Sequence, residues 1–256
     1  MSDSTPPSLA QYTELAELAG GFIHDIKNHV GTLSLNLQLL AEDFENPENQ
    51  RERRALERIM RLSDECSRLA DLANDFLRFA RVQELQREPT PLAEVVERMI
   101  EFLTPTARQR GIAINWYPAH DLPPIQLDRD LFDQALLNIL LNAEQAMPDG
   151  GTLTLIGRRE NGCACLDVID TGCGMTPEIL AKVFRPFHTT KANGNGLGLP
   201  TARKVILAHG GTIEVQSEPD RGTKVSIRIP AGHSPLPRLC GGEVARFDAP
   251  SIEPGG

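Results

Sequence analysis

The sequence predicts a chain of two unlike domains, a long helical hairpin followed by a two-layer α/β sandwich. Three observations carry this. Apolar residues recur in three-four steps over two stretches before Arg81. Pro89-Thr90-Pro91 breaks that texture. Beyond it, helical and strand-like runs are mixed, as in one sheet covered by helices.

The first segment, residues 1–7, is polar, contains Pro6 and Pro7, and reads as disordered. Ser8 followed by Gln11 resembles a capping box that opens the first helix. Tyr12, Leu15, Ala19, Phe22, Ile26, Leu33, Leu37 and Leu40 form its apolar stripe, which stops near Asn46-Pro47. A second helix starts near Gln50, with Leu56, Ile59, Ser63, Cys66, Ala70, Ala73, Leu77 and Ala80 as its seam. The short connection makes an antiparallel hairpin, residues 8–81. One hairpin has too little surface to bury both stripes, so a homodimer forming a four-helix bundle is expected.

Residues 82–90 read as a linker and 91–230 as the second domain. A helix is expected over Leu92–Arg110, an extended run over Ile112–Tyr117 and a helix over Arg129–Ala146, ended by the Pro148–Gly151 turn. Strands Thr152–Arg158 and Ala164–Ile169 flank a hairpin turn at Glu160–Gly162. Thr176-Pro177 reads as N-cap and first-turn proline of a short helix. A glycine-rich loop, Ala192–Gly198, opens a helix reaching His209, which Gly210-Gly211 ends. Strands Thr212–Ser217 and Thr223–Ile229 follow, and the Pro- and Gly-rich residues 231–256 read as a flexible tail.

Composition bounds the function. The chain has 256 residues, room for two domains, and is 40% hydrophobic and 24% charged, as a packed protein requires. A net charge of −9 argues against a nucleic-acid binder, which needs a basic face. No apolar run approaches the ~20 residues of a membrane span, and the N-terminus lacks the basic and apolar regions of a signal peptide, so a cytoplasmic location is expected. Five scattered cysteines show no zinc spacing and read as reduced thiols.

Four groups carry chemistry. His24 lies on the outward face of the first helix if Phe22 and Ile26 face inward, with Asn28 one turn below it and Asp25 adjacent. An exposed imidazole beside a carboxylate that orients or deprotonates it is a candidate nucleophile. Asn138 and Asn142 are one turn apart on a strongly apolar helix, and amide oxygens suit a hard cation such as Mg²⁺ that keeps water and phosphate ligands. Asp170-Thr171-Gly172-Cys173-Gly174 follows a β-branched strand; the carboxylate can accept from a base's exocyclic amine, and Gly172 and Gly174 let backbone approach a flat ring. Such a run is also the composition of an ordinary turn. Gly194, Gly196 and Gly198 open a helix whose free N–H groups and positive end suit phosphate. The loop is neither a P-loop nor a dinucleotide fingerprint.

In this order the set resembles the histidine protein kinases of two-component signalling. His24–Asn28 looks like the H box, the Asn138–Asn142 helix the N box, Asp170–Gly174 the G1 box, Phe184-Arg185-Pro186-Phe187 the F box and Gly194–Leu199 the G2 box. The Pro186–Lys191 run and the short lid are similar to the nitrogen-regulation type. The resemblance covers about Leu9 to Pro230. It implies a phosphoacceptor hairpin and an ATP-binding domain with the fold shared by gyrase, the Hsp90 chaperone and the MutL repair protein. It further implies that Asp170 bonds the adenine amine and that Asn138 and Asn142 hold Mg²⁺. Phe184–Gly198 would be the ATP lid, in which Lys191 is a candidate phosphate contact and the glycine amides cradle phosphates. His24 would attack the γ-phosphorus with Asp25 as base or orienter. The group would then pass to an aspartate of a response regulator receiver domain. Asn28 matches the family position linked to dephosphorylating that partner. Fewer than ten residues precede the first helix, so the stimulus is expected from an unknown sensory partner, from the surroundings of the bundle or from a region outside this chain.

Two departures stand out. Many relatives have proline where His29 stands, so Gly31 becomes the candidate bending point. The other is the short lid itself. A gyrase- or Hsp90-class ATPase is one alternative, but Asn138 stands where such enzymes need a glutamate. An ATP-gated, non-catalytic scaffold is the other.

Overall fold

Two long helices come first, α1 (Leu9–Glu42) and α2 (Gln50–Ala80), packed side by side in a computed structural model. The structure describes residues 9–80, 85–191 and 194–231, without the side chains of 9–20, 78 and 80. The Ser8 cap, the disorder expected before it, the hairpin's end at Arg81, the first two residues of the glycine-rich loop and the tail beyond Ala231 lie outside the described residues.

Asn49 opens α2, its Oδ1 accepting from Arg51 N and Glu52 N, both at 3.0 Å. The expected seam of α2 faces inward: Ile59 and Ala73 are buried. On α1 the register needs correction. Val30, absent from the expected stripe, is buried, whereas Phe22, Leu33 and Leu40 are 67%, 55% and 42% exposed. The stripe is wide enough for more than one neighbour, and α2 covers one flank of it. The helix runs unbroken through Gly31.

The second domain begins earlier than expected. Strand β1 (Glu88–Pro91) occupies the end of the supposed linker, followed by α3 (Leu92–Gln109), β2 (Ile112–Pro118) and β3 (Pro124–Leu127). β1 pairs antiparallel with β3 and buries Thr90; its two prolines are tolerable in a two-stranded edge ribbon. Then come α4 (Arg129–Gln145), β4 (Gly151–Glu160), β5 (Cys163–Asp170), the single turn α5 (Pro177–Leu180), α6 (Gly198–Ala208), β6 (Thr212–Glu218) and β7 (Gly222–Pro230). Thr176 takes the expected N-cap position of α5 without a side-chain hydrogen bond to its turn.

The main sheet has order β2-β4-β5-β7-β6, with only β2–β4 parallel. The β4–β5 hairpin turns at Asn161 and Gly162, both at positive φ (49° and 76°). Leu153, Leu155, Leu166, Val168, Val225 and Ile227 point to one face and pack with Leu136, Ile139, Leu140, Val205 and Ile206 from α4 and α6. The opposite face is polar: Asp167 on β5 receives Arg158 of β4 and, at 3.0 Å, Lys224 of β7. Burial works to raise that carboxyl, but Arg158, Ser226 and Lys224 together hold it below its ordinary range.

One junction positions α4. The Asp128 carboxylate caps the helix, accepting from Leu131 N at 3.2 Å, and also takes Gln86 N at 2.9 Å. Asp128 N donates to His209 Nε2 at 2.9 Å, so His209 carries its proton on Nδ1 and donates it to Val205 O at 2.7 Å. Arg87 adds a bond to Ala208 O at 2.6 Å. The start of α4, the end of α6 and the segment before β1 are thereby held together.

Candidate functional site

A cleft of about 450 Å³ opens between α4, the end of β5 and the segment running from His188 into α6. Asn138, Asn142, Asp170, Gly174, Lys191, Gly194, Gly196 and Gly198 all line it, together with apolar Ile139, Val168 and Val225. Residues far apart in the sequence are thus brought to one wall-to-wall space. Gly172 acts from behind, through its backbone.

Asp170 ends β5 and is 6% exposed. Its Oδ1 accepts from Gly172 N at 2.9 Å and Thr223 N at 3.1 Å. Oδ2 makes no hydrogen bond among the described residues and is the atom left for a ligand. Burial raises the carboxyl above its ordinary value, against the pull of the Gly172 and Thr223 amides and of Lys191. Gly174 has φ +62°, and a Cβ there would stand 1.9 Å from Glu218 O, so the turn after Asp170 closes against the β6–β7 corner only with glycine.

On the facing wall, α4 turns its amides into the cleft because its apolar residues face the sheet. Gly198 opens α6 against them: a Cβ there would lie 3.6 Å from Asn142 Nδ2 and 3.7 Å from Asn138 Cγ. Lys191 supplies the cation. Its Nζ donates to Asn142 Oδ1 at 2.7 Å and to Gln145 Oε1 at 2.6 Å. Burial lowers the Lys191 pKa from its ordinary value, opposed by Cys173 and Asp170. Asn142 and Gln145 already gather a positive group with amide oxygens, the donor type that suits Mg²⁺, whereas Asn138, the other expected ligand, lines the cleft without a hydrogen bond to Lys191. No cluster of three or more His, Cys, Asp or Glu suited to a metal exists among the described residues, so a metal here depends on amide, water and phosphate oxygens. As described, however, Lys191 bonds α4 directly, where the sequence suggested a phosphate contact.

The glycine-rich loop is partly self-satisfied. Gly194 N donates to Lys191 O at 3.2 Å and Leu197 N to Asn195 Oδ1 at 3.2 Å. Gly196, at φ +68°, lies so close to the Phe187–His188 backbone that a Cβ would stand 2.7 Å from His188 N. Its carbonyl takes Phe187 N at 3.1 Å. The lid also touches α2: the Asn195 amide reaches Asp75, and Phe187 stacks on Phe76 with ring centroids 6.3 Å apart. Sequence patterns point to neither Asp75 nor Phe76, nor to Gln145; only the last had a legible signal, its place one turn after Asn142.

His24 stands outside the cleft, on α1. Its side chain is 60% exposed, Asn28 Nδ2 lies 3.4 Å from its Nδ1, and Asp25 Oδ1 lies 3.8 Å from the same nitrogen. The outward imidazole, the amide one turn on and the adjacent carboxylate are therefore where helical spacing placed them. Nε2 has no hydrogen-bond partner among the described residues. Asn28 Nδ2 can only donate to Nδ1, so attack through Nε2 requires the ring's other tautomer, with the proton on Nδ1 and turned toward Asp25.

Comparison with known proteins agrees with this geometry. Residues 127–233 match the family described as histidine kinase-, DNA gyrase B- and HSP90-like ATPase. The sensor histidine kinase ZraS of Klebsiella oxytoca is 30% identical over 84% of this chain and 46% of its own. Sporulation kinase E of Bacillus subtilis is 31% identical over 84% of this chain and 28% of its own. Full-length ShkA, solved in complex with AMPPNP, superimposes with a TM-score of 0.67 at 28% identity, covering 84% of this chain and 45% of that one. The chain thus spans less than half the length of these relatives. Residues 127–233 belong to this ATPase family, and over 217 residues, 84% of its length, the chain is similar to two-component sensor histidine kinases.

Proposed function

We propose that the chain is an ATP-dependent autokinase that phosphorylates His24 and passes the group to an aspartate of a response regulator receiver domain. The observation that carries this reading is the divided Asp170 carboxylate, with Oδ1 locked by two backbone amides and Oδ2 left toward the cleft. An oxygen so fixed accepts from the exocyclic amine of adenine, and Ile139, Val168 and Val225 offer apolar walls to the ring. The nucleotide's polyphosphate then extends toward Lys191 and the start of α6, where a cation and the positive helix end meet it. Mg²⁺, held by the amide oxygens of Asn138 and Asn142, would neutralise phosphate charge. ShkA bound to AMPPNP supports a nucleotide in this fold.

In the transfer, His24 Nε2 attacks the γ-phosphorus. An N–P bond forms, the bond to the β,γ-bridging oxygen breaks, and ADP leaves with that electron pair. The ring proton on Nδ1 passes to Asp25 or water. Asn28, beside the ring, is placed to orient a water in the reverse task of dephosphorylating the regulator. Asn28→Ala should slow that step and spare autophosphorylation. The outward Phe22, Leu33 and Leu40 support a homodimer, in which a second hairpin covers them. Among the described residues no helix is long and apolar enough to cross a membrane; ATP and a receiver partner favour a cytoplasmic site.

The test is incubation with γ-labelled ATP and Mg²⁺. The label should stay on the protein, survive alkali and be lost in acid, and His24→Gln should abolish it. Free phosphate released without labelled protein would replace this reading with an ATPase.

A further inference from the structure

Gln145 has no part in the function proposed above. It follows Asn142 by one turn on α4, and the two oxygens hold the Lys191 ammonium between them, at 2.6 Å and 2.7 Å. These neutral amides are its only hydrogen-bond partners among the described residues. The lysine's backbone is set as well: Lys191 N donates to Thr189 Oγ1 at 3.1 Å, and Lys191 O accepts from Gly194 N at 3.2 Å. The ammonium therefore rests on the very oxygen that a metal would need. Two cations repel strongly at one amide oxygen, so they compete for it.

We propose that Gln145 is a positioning residue that parks the Lys191 ammonium on Asn142 Oδ1, so that the lid lysine guards the metal-binding amide until phosphates draw it away. Phosphate oxygens are charged and the two amides are neutral, and a charge-assisted bond is roughly twice as strong as a neutral one. Moving the ammonium from α4 to a nucleotide's phosphates is then favourable, and it exposes Asn142 Oδ1 in the same motion. Lid rearrangement and metal admission become one event. The inference rests on the nucleotide reading of the cleft for its metal half alone; the parking of Lys191 stands without it.

The test has two arms on the full chain, each checked by thermal melting. In the first, without nucleotide, a brief pulse of an amine-acetylating reagent is read at Lys191 by peptide mass spectrometry, with exposed Lys27 as reference. Gln145→Leu should raise Lys191 labelling about five-fold, the effect of losing one hydrogen bond, and Gln145→Glu should lower it. In the second, calorimetry follows binding of a non-hydrolysable ATP analogue as Mg²⁺ is varied. Gln145→Leu should lower the half-saturating Mg²⁺ about three-fold, because the competing cation is less firmly held. Unchanged labelling in both variants overturns the parking. Changed labelling with an unchanged or raised Mg²⁺ requirement overturns the guarding role; a raised one would make Gln145 a metal ligand. A wild-type chain that binds no analogue overturns the nucleotide reading itself, while the labelling arm still decides the parking.

Discussion

The side-chain amide of Asn195, within the glycine-rich loop, donates to the carboxylate of Asp75 near the end of α2. Close by, Lys204 of α6 donates to Phe79 O at 2.6 Å and sits 4.9 Å over the Phe79 ring. The last turns of the hairpin thus touch the lid and the helix that the lid opens. Asp75→Ala should loosen residues 194–198, and their amide hydrogen exchange should quicken about five-fold. Exchange at the wild-type rate would mean that the loop's own bonds hold it.

In the function proposed above, Asp170 is the residue on which nucleotide recognition turns. Asp170→Asn keeps the shape but must spend its one oxygen on the Gly172 and Thr223 amides, setting an NH₂ against the adenine amine. Affinity for an ATP analogue should fall about 100-fold, measured by calorimetry. Burial raises the wild-type carboxyl, so acid should weaken binding sooner than a free aspartate, near pH ~3.9, would predict. A variant that binds like the wild type would remove Asp170 from the base-recognition role.

His209 gives stability a pH dependence. Burial lowers its pKa, opposed by its bond to Val205, and its neutral form holds Asp128 N. Above the unfolded value of ~6.5 both states are neutral and its contribution is fully present. As pH falls below that value the unfolded chain takes up a proton first, and stability is lost toward the lowered folded pKa. Urea melts should show lower stability at pH 5.5 than at pH 7.5, in part from this group. His209→Gln should flatten that difference; an unchanged slope would assign it to other groups.

Leu33 tests the bundle. It is 55% exposed in the single chain. Leu33→Lys places a charge on the outward stripe and should shift the chain to monomer by light scattering, with the helix content of the isolated hairpin region reduced. A wild-type chain already monomeric at micromolar concentration would refute the dimer.

Much of this was legible before any fold was known. The α4 amides, the Asp170 turn and the His24–Asn28 pair were readable because helix and strand periods alone bring such residues onto one face. The β4–β5 turn was readable because Asn161 and Gly162 tolerate positive φ. The β1 strand was not: it is four residues long, carries two prolines, and exists only because β3 lies beside it.

The sequence by itself therefore determined the two-domain order, the outward setting of His24 and the residue types of each cleft wall. Tertiary structure alone decided that Lys191 rests on Asn142 and Gln145, that Asn195 reaches Asp75, that His209 secures the cap of α4, and which flank of α1 lies bare. The physical reason is range. Backbone geometry dictates which side chains meet three or four residues apart, whereas partners many turns apart meet only when burial of the whole core has set where each element lies.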